Sequence, residues 1–372
     1  MKRKLCFALA VIMAAGIMLA GCGTKEDTTI SEPQAPVQEE NVNDGTSNDN
    51  NTVVPENANT TDEEPVTIKI GAMSGPTAMG MVKLMNDSEE GLTENTYDFA
   101  ELATDATALV PAIAKGELDI AAVPSNLAAN VFNQTEGGVK VVAACVQGVL
   151  NLVERGETIT SIADLKGESI YATGQGAVPE YIIRYVLEAN GINPDEDVNI
   201  IWCSDTTEAM AYVTEVKDAI AILPQPFVTA LSAKIANDTS RKEDEPVLRV
   251  VMDLNDAWAD LDAGCEIITG VIVARTEFAE KYPEQLAKFL DEYAASVAYT
   301  SENVDETATL IVKYGIVGAE GVAKKALPNC HIICYRDQEM RDALEGFLQV
   351  IFDMNPKAVG GAMPTDDFYY IQ

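Results

Sequence analysis

Residues 116–125 read Gly-Glu-Leu-Asp-Ile-Ala-Ala-Val-Pro-Ser: a glycine turn, a short apolar run and a proline stop. The run from Leu118 to Val123 predicts a buried strand, because it is short, apolar and bounded by turn residues. The ten residues before it, 106–115, carry their apolar side chains at helical spacing and predict a helix. A helix followed by a buried strand is the repeating unit of an α/β fold.

The same alternation of strands and helices continues on both sides of this segment. Helices are predicted from about Ala78 and over 179–190, 206–216 and 283–303. The alternation predicts parallel sheets, and about 300 residues suit two domains better than one core. The further predicted strands are 66–72, 97–103, 139–146, 169–172, 198–202, 219–223, 248–254 and 267–274.

The N-terminus has the pattern of a secretory signal peptide over residues 1–21. Basic residues at 2–4 precede an apolar stretch from Leu5 to Leu19, which is shorter than the roughly 20 residues of a spanning helix. The ending Leu19-Ala20-Gly21-Cys22 resembles the lipobox of bacterial lipoproteins. That resemblance implies a diacylglycerol-modified Cys22 at the mature N-terminus, which anchors the protein outside the cytoplasm. The alternative is an ordinary signal peptide followed by a chance cysteine.

Residues 22–65 combine the lipidation candidate with an acidic segment that has few large apolar side chains. Such a composition cannot bury enough surface to offset its ordering entropy, so we predict a disordered linker. Flexible-chain scaling gives it a reach of about 35 Å. The linker would hold a folded domain away from a membrane surface and leave it free to rotate.

The chain is strongly acidic, with a formal net charge of −34. Residues 1–22 contribute +3 and residues 23–65 contribute −10, which leaves −27 for residues 66–372. A field of this sign disfavours nucleic acid and anionic lipid surfaces as partners. The charge otherwise indicates a solvated surface and says little about a ligand.

Six segments of the folded part occur in a characteristic order and spacing. They are Ile70-Gly-Ala-Met-Ser-Gly-Pro-Thr77, residues 116–125, Ile162-Ala-Asp-Leu-Lys-Gly167, the glycine turn 174–176, Pro224-Gln-Pro-Phe227 and Thr269-Gly-Val-Ile-Val-Ala274. In this order and spacing, the folded part resembles type II periplasmic solute-binding proteins of ABC importers, most closely the nitrate/taurine/thiamine-precursor type, called NMT1/THI5-like. The resemblance covers roughly residues 66–356.

The resemblance implies two Rossmann-like α/β domains joined by two crossing strands, with a ligand cleft between them. The first crossing is expected near residues 147–153 and the return near 265–271. Domain 1 is then discontinuous, 66–149 plus 267–372, and domain 2 is 150–266. Open α/β sheets bind ligands beyond the carboxyl ends of their strands, so the loops after strands are the candidate site.

The candidate ligand-binding residues lie mostly in such loops. Glycine allows a close approach of backbone N–H groups, helix starts favour negative charge, and hydroxyl groups donate and accept. In relatives, the glycine turn at 174–176 often meets an anionic group through backbone N–H. A helix cap or a plain turn is the alternative for each loop. The candidates are Ser74, Gly75, Pro76, Thr77, Ser125, Asn126, Gly174, Gln175, Gly176, Ala177, Gln225 and Trp258.

Two of these candidates bear on the class of ligand. Gln225 offers a donor and an acceptor where relatives often carry Glu, which argues against a cationic ligand group. Trp258 could form a wall of the cleft by stacking, or could pack inside a loop. Because no Arg or Lys stands in the candidate loops, we expect a neutral or weakly charged organic molecule, such as a heterocycle.

The chain offers little catalytic or metal-binding chemistry. His331 is the only histidine, and no nucleophile elbow or Walker loop is present. We expect no cofactor, no metal and no catalytic residue. Cys330-His331-Ile-Ile-Cys334 could hold a soft metal, but a buried strand with a spare thiol is the simpler interpretation. Cys145 and Cys203 fall in apolar runs typical of core residues.

We therefore predict a monomeric receptor that is anchored to the cell membrane through Cys22. Its partners are a small-molecule ligand, an ABC permease and its ATPase. Capture would proceed by hinge closure of the two domains over the ligand. The alternatives are a sensor or surface protein on the same fold, or an enzyme related to the thiamine-pyrimidine synthases, whose cysteine cluster is not found here.

Overall fold

The computed structural model describes residues 66–104, 106–242, 245–261 and 263–372. The predicted signal peptide, the lipidation of Cys22 and the linker lie outside the described residues. None of the helices in the described ranges combines the length and the hydropathy that crossing a bilayer requires. The strands are β1 (Thr67–Ala72), β2 (Thr96–Phe99), β3 (Ile120–Pro124), β4 (Val139–Val146), β5 (Leu150–Glu154), β6 (Ser169–Ala172), β7 (Asn199–Trp202), β8 (Ile220–Pro224), β9 (Arg249–Asp253), β10 (Gly270–Arg275) and β11 (Ile332–Tyr335).

The helices alternate with the strands over most of the chain, as the sequence pattern predicts. They are α1 (Pro76–Met79), α2 (Val82–Glu89), α3 (Ala106–Lys115), α4 (Ser125–Gln134), α5 (Val178–Ala189), α6 (Thr206–Glu215), α7 (Phe227–Ala236), α8 (Leu254–Ala259), α9 (Thr276–Lys281), α10 (Pro283–Glu302), α11 (Val304–Lys313), α12 (Glu320–Ala326) and α13 (Asp337–Met354).

The strands form two mixed sheets, which gives the α/β class expected from the sequence. The six-stranded sheet has the order β11-β4-β10-β3-β1-β2, and the five-stranded sheet has the order β7-β6-β8-β5-β9. The internal strand β4 is buried along almost its whole length, because helices cover both faces. The five-stranded sheet takes all its strands from residues 150–253. The domain boundaries themselves stay a prediction.

The expectation of parallel sheets is only partly correct. Three strands run against the rest of their sheets: β10 is antiparallel to β3 and β4, β5 is antiparallel to β8 and β9, and the edge strand β11 is antiparallel to β4. The internal strands β10 and β5 each directly follow a passage of the chain from one sheet to the other. A strand that enters a sheet from the opposite side of the cleft runs in the reverse direction, which local alternation cannot reveal.

The two passages between the sheets are hydrogen-bonded to each other and to α8. The Thr269 hydroxyl donates to the Gln147 carbonyl at 2.6 Å, and the Gly148 N–H donates to Asn255 Oδ1 at 3.1 Å. His331 Nδ1 also contacts the Gly148 carbonyl. These contacts form a compact joint at the base of the cleft.

The cysteine segment near the C-terminus differs in part from its prediction. Strand β11 begins at Ile332 rather than at Cys330, because Cys330 ends a short 3₁₀ helix and His331 has a φ of +43°. The described cysteines are all free thiols, and no group of three or more potential metal ligands occurs among the described residues. Cys145 and Cys203 are buried in the core, as predicted.

Candidate ligand-binding cleft

A cavity of about 820 Å³ lies between the two sheets. It is bordered by the carboxyl ends of strands from both sheets, which is where an open α/β fold binds its ligand. The six-stranded sheet contributes the loops after β1, β2 and β3, and the five-stranded sheet contributes the loops after β6, β7 and β8. The starts of β5 and β10, next to the joint, complete its base.

The loop after β1 lines the cavity with all four of its predicted residues: Ser74, Gly75, Pro76 and Thr77. Gly75 has a φ of +109°, a conformation that favours glycine and turns the chain sharply from strand to helix. The Thr77 hydroxyl donates to the Met73 carbonyl at 2.8 Å, which fixes the loop. The Thr77 hydroxyl group therefore already donates its hydrogen bond within the loop.

The glycine turn before α5 is divided between two surfaces. Gly174 and Ala177 line the cavity, whereas Gly176 borders a separate groove between α5 and α13, and Gln175 lines neither. The Gly176 N–H donates to Glu180 Oε2 at 2.6 Å. In relatives, backbone N–H groups of this turn often bind an anionic group. At Gly176 that N–H is already paired with a carboxylate of the chain itself.

Gln225 follows β8 and lines the cavity while remaining 96% buried as a residue. Its Oε1 accepts a hydrogen bond from the Thr229 hydroxyl at 2.8 Å, and its backbone N–H donates to the Val149 carbonyl. Its Nε2 has no hydrogen-bond partner among the described residues. Nε2 is not among the buried unpartnered atoms, and Gln225 lines the cavity, so this N–H group is available to donate to a ligand acceptor.

Ser125 and Asn126 lie behind the cavity wall rather than in it. Both are almost fully buried at the start of α4, and Pro124 lines the cavity in their place. Asn126 Nδ2 donates to the Ala358 carbonyl at 3.3 Å, whereas the Ser125 hydroxyl and Asn126 Oδ1 have no partner in the described structure. The prediction that these two side chains line the cleft does not match their placement.

Trp258 also lies away from the cavity, which corrects its predicted role as a wall of the cleft. Its indole is 2% exposed and packs against Tyr185 of α5 and Phe347 of α13, with ring centroids 4.2 and 5.8 Å away. Its Nε1–H donates to the Cys265 carbonyl at 2.8 Å. Trp258 therefore stabilises the packing of α8 against two other helices and the return passage of the chain.

Sequence reasoning missed several parts of the wall, and two of them are long enough to matter for a ligand. Asp205, Thr206 and Thr207 follow β7, so the rule of loops after strands could have found them. Residues 316–318 lie between α11 and α12 and carry no sequence signal for a site. Helix α12, which follows residues 316–318, packs against α7.

The cavity wall is apolar or uncharged almost throughout. Within the described part of the chain, its only charged side chain is Asp205, and it contains no Lys, Arg or His. Asp205 Oδ1 accepts the Glu208 N–H at 2.9 Å. The backbone N–H and the hydroxyl of Ser204 both donate to the Glu208 carboxylate. These hydrogen bonds hold the pKa of Glu208 below its ordinary value, so Glu208 stays ionised at neutral pH.

Comparison with known proteins identifies the family. Residues 100–307, more than half of the chain, match the family described as NMT1/THI5 like. The chain belongs to the NMT1/THI5-like family. No curated protein sequence matches it significantly.

Several solved structures share its fold. An ABC transporter protein from Parabacteroides distasonis has 24% identity and a TM-score of 0.67, covering 82% of this chain and 98% of that one. The periplasmic aliphatic sulphonate binding protein SsuA from Escherichia coli has 17% identity and a TM-score of 0.63, covering 81% and 94%. A putative sulfonate-binding SsuA from Methylobacillus flagellatus has 15% identity and a TM-score of 0.60, covering 83% and 92%. The chain thus has the periplasmic-binding-protein fold expected from its sequence.

Proposed function

We propose that this protein is an extracytoplasmic receptor, anchored to the membrane through a lipidated Cys22, that captures one small organic molecule for an ABC importer. The observation that carries the proposal is the cavity of about 820 Å³ between the two sheets. Cavities of this size and largely apolar lining are typical of sites for small organic molecules. Family membership supports the transport role, as does the shared fold with an ABC transporter protein and a periplasmic sulphonate binding protein.

Capture would proceed by closure of two domains, 66–149 with 267–372 and 150–266, about the hydrogen-bonded joint at the base of the cleft. The passages of the chain at 147–149 and 265–269 are the hinge in this proposal, because they carry the chain between the sheets. Packing of α12 against α7 would be the contact that closes. A permease then recognises the surface that closure creates.

The anchor and linker would suit this mechanism. A lipidated Cys22 would hold the receptor at the membrane, and the acidic segment 23–65 would let the folded part reach a permease beside it. The permease and its ATPase are the proposed protein partners. We propose that the receptor itself works as a monomer, since each cleft is complete within one chain.

Uptake measurements in the native cells test the proposal. The ligand is first released from the purified protein and radiolabelled; uptake is then compared between a deletion strain and strains carrying wild type, Gly318→Trp or Gly321→Trp. A Cβ at either glycine meets nothing within 4 Å, but only Gly318 lines the cleft. We expect uptake to be lost in the deletion strain and with Gly318→Trp, and retained with Gly321→Trp.

The same strains separate transport from sensing. If uptake persists in the deletion strain while ligand-dependent gene expression is lost, the receptor is a sensor and the transport proposal is wrong. If the purified protein converts the labelled ligand into another compound, the protein is an enzyme on this fold.

A further inference from the structure

The cleft carries a charge pattern that points to the class of its solute. Where a protein binds a sulfonate or carboxylate, it offers cationic side chains or unused N–H groups at helix starts. In the described part of this chain, the cavity wall has no cationic side chain, and its one charged group is the carboxylate of Asp205. An anion would therefore lose its hydration on entering the cavity without gaining a countercharge there.

The helix starts at the cavity reinforce this pattern. Three helices of at least ten residues, α5, α6 and α7, begin with residues that line it. The first turn of α5 has Pro179, which has no N–H, and Glu180, which accepts the Gly176 N–H. The start of α6 carries Asp205 and Glu208, which accept N–H groups of the same turn. The positive ends of α5 and α6 are thus already neutralised by carboxylates of the chain.

The start of α7 offers a different kind of contact. It follows Pro226 and begins with Phe227, which is 40% exposed at the cavity and presents an aromatic surface there. Beside it, Gln225 is buried with Oε1 bonded to Thr229 and Nε2 unpartnered among the described residues. One neutral donor next to an aromatic ring fits an uncharged hydrogen-bond acceptor on an apolar skeleton.

We propose that the cleft takes an uncharged, mostly apolar organic molecule with a hydrogen-bond acceptor, and rejects sulfonates of the same shape. This inference rests on the proposed use of the cleft for solute capture. Gln225 donates to the acceptor through Nε2, and Asp205 repels negative charge at the wall. The chain thereby differs in specificity from the sulfonate-binding proteins whose fold it shares.

A pair of matched fluorescent probes tests the proposal on the intact protein. Dansylamide and 5-dimethylaminonaphthalene-1-sulfonate share one skeleton and differ at a single group, a neutral sulfonamide or a sulfonate anion. Both are titrated at pH 7 and at physiological salt, and binding is measured by fluorescence enhancement. We expect dansylamide to bind at least tenfold more tightly, which corresponds to about 1.4 kcal/mol.

Four variants assign the binding to the cleft and to its charge. Gly318→Trp should abolish dansylamide binding, whereas Gly321→Trp, outside the cleft, should leave it unchanged. Asp205→Asn keeps a side chain that can cap α6. It should reduce the ratio of dansylamide affinity to sulfonate affinity severalfold. Glu196→Gln removes an equal charge from an exposed position and should not change the preference.

Each contrary result has a separate meaning. Equal or tighter binding of the sulfonate in the cleft overturns the inference about solute class and leaves solute capture intact. Binding of neither probe also overturns it, because an apolar cavity of this size must accept the amide. If Gly318→Trp still binds dansylamide, the probe lies outside the cleft, and the inference about solute class is overturned as well. Capture and transport are judged independently by the uptake measurements.

Discussion

Replacing Trp258 by Ala should destabilise the fold strongly and leave the specificity of the cleft unchanged. The indole is 2% exposed and is held by the rings of Tyr185 and Phe347 and by a hydrogen bond to the Cys265 carbonyl. Burial of 150–250 Å² at about 25 cal/mol per Å² gives about 4–6 kcal/mol. Measured truncations of this kind cost about 3–5 kcal/mol, so we expect a loss near 4 kcal/mol.

A second variant separates the packing of Trp258 from its hydrogen bond. Trp258→Phe keeps an aromatic ring but leaves the Cys265 carbonyl unpaired, and it should cost about 1–3 kcal/mol. Trp202→Phe is the matched control, since Trp202 is only partly buried at the end of β7 and should cost less. The free energy of unfolding is measured by urea titration with far-ultraviolet circular dichroism, and dansylamide affinity is measured on the same samples.

The outcome that would refute the packing role is specific. If Trp258→Phe weakens dansylamide binding as much as Gly318→Trp does, while the free energy of unfolding stays within about 0.5 kcal/mol of wild type, Trp258 is a wall of the cleft. That threshold is the scatter expected of surface substitutions.

Three other predictions concern an ion pair and the N-terminus. Glu154 is fully buried; burial raises its pKa, but hydrogen bonds from Thr158, Ile159 and Arg249 outweigh burial and hold the pKa below its ordinary value. Its stabilisation is therefore present above the unfolded-state pKa and lost as pH falls through the folded-state pKa. Glu154→Gln should cost about 3–5 kcal/mol at pH 7, and this cost should decrease steadily as the pH falls below the unfolded-state pKa of about 4.3. A cost that does not change with pH over the range in which the protein stays folded would contradict the ion-pair role. Cys22→Ser should release the protein into the soluble fraction, and a variant that stays membrane-bound would exclude the lipid anchor. Limited proteolysis should cut first within residues 23–65 and leave a compact core, and protection of that segment would show that it is structured.

Most secondary structure could be predicted because its signals are local. Strands β4 and β6 match their predicted limits, 139–146 and 169–172. Turn residues on both sides of each apolar run mark where the strand begins and ends. The loop after β1 was predicted for the same reason: its Gly-Pro pair marks a strand-to-helix turn, and such turns lie at the ligand edge of the sheet. Local signals were thus sufficient wherever a single segment determined the structure.

The remainder depends on long-range packing, which no single segment encodes. Ser125 and Asn126 have the residue types of a site, but strand β10 and the C-terminal segment cover them. Trp258 is buried by Phe347, nearly ninety residues later in the chain. Gly174 lines the cleft but is a poor probe of it, because a Cβ there would lie 2.7 Å from Pro179 at a φ of +82°.

The most direct test of solute capture in the cleft is to identify the molecule that remains bound when the protein is purified gently from its native cells. Native mass spectrometry identifies the bound molecule, and calorimetry measures its rebinding to wild type, Gly318→Trp and Gly321→Trp. We predict one molecule per chain, uncharged at neutral pH, that rebinds wild type and Gly321→Trp with equal affinity and does not bind Gly318→Trp. A molecule that binds Gly318→Trp as tightly as wild type would contradict solute capture in this cleft.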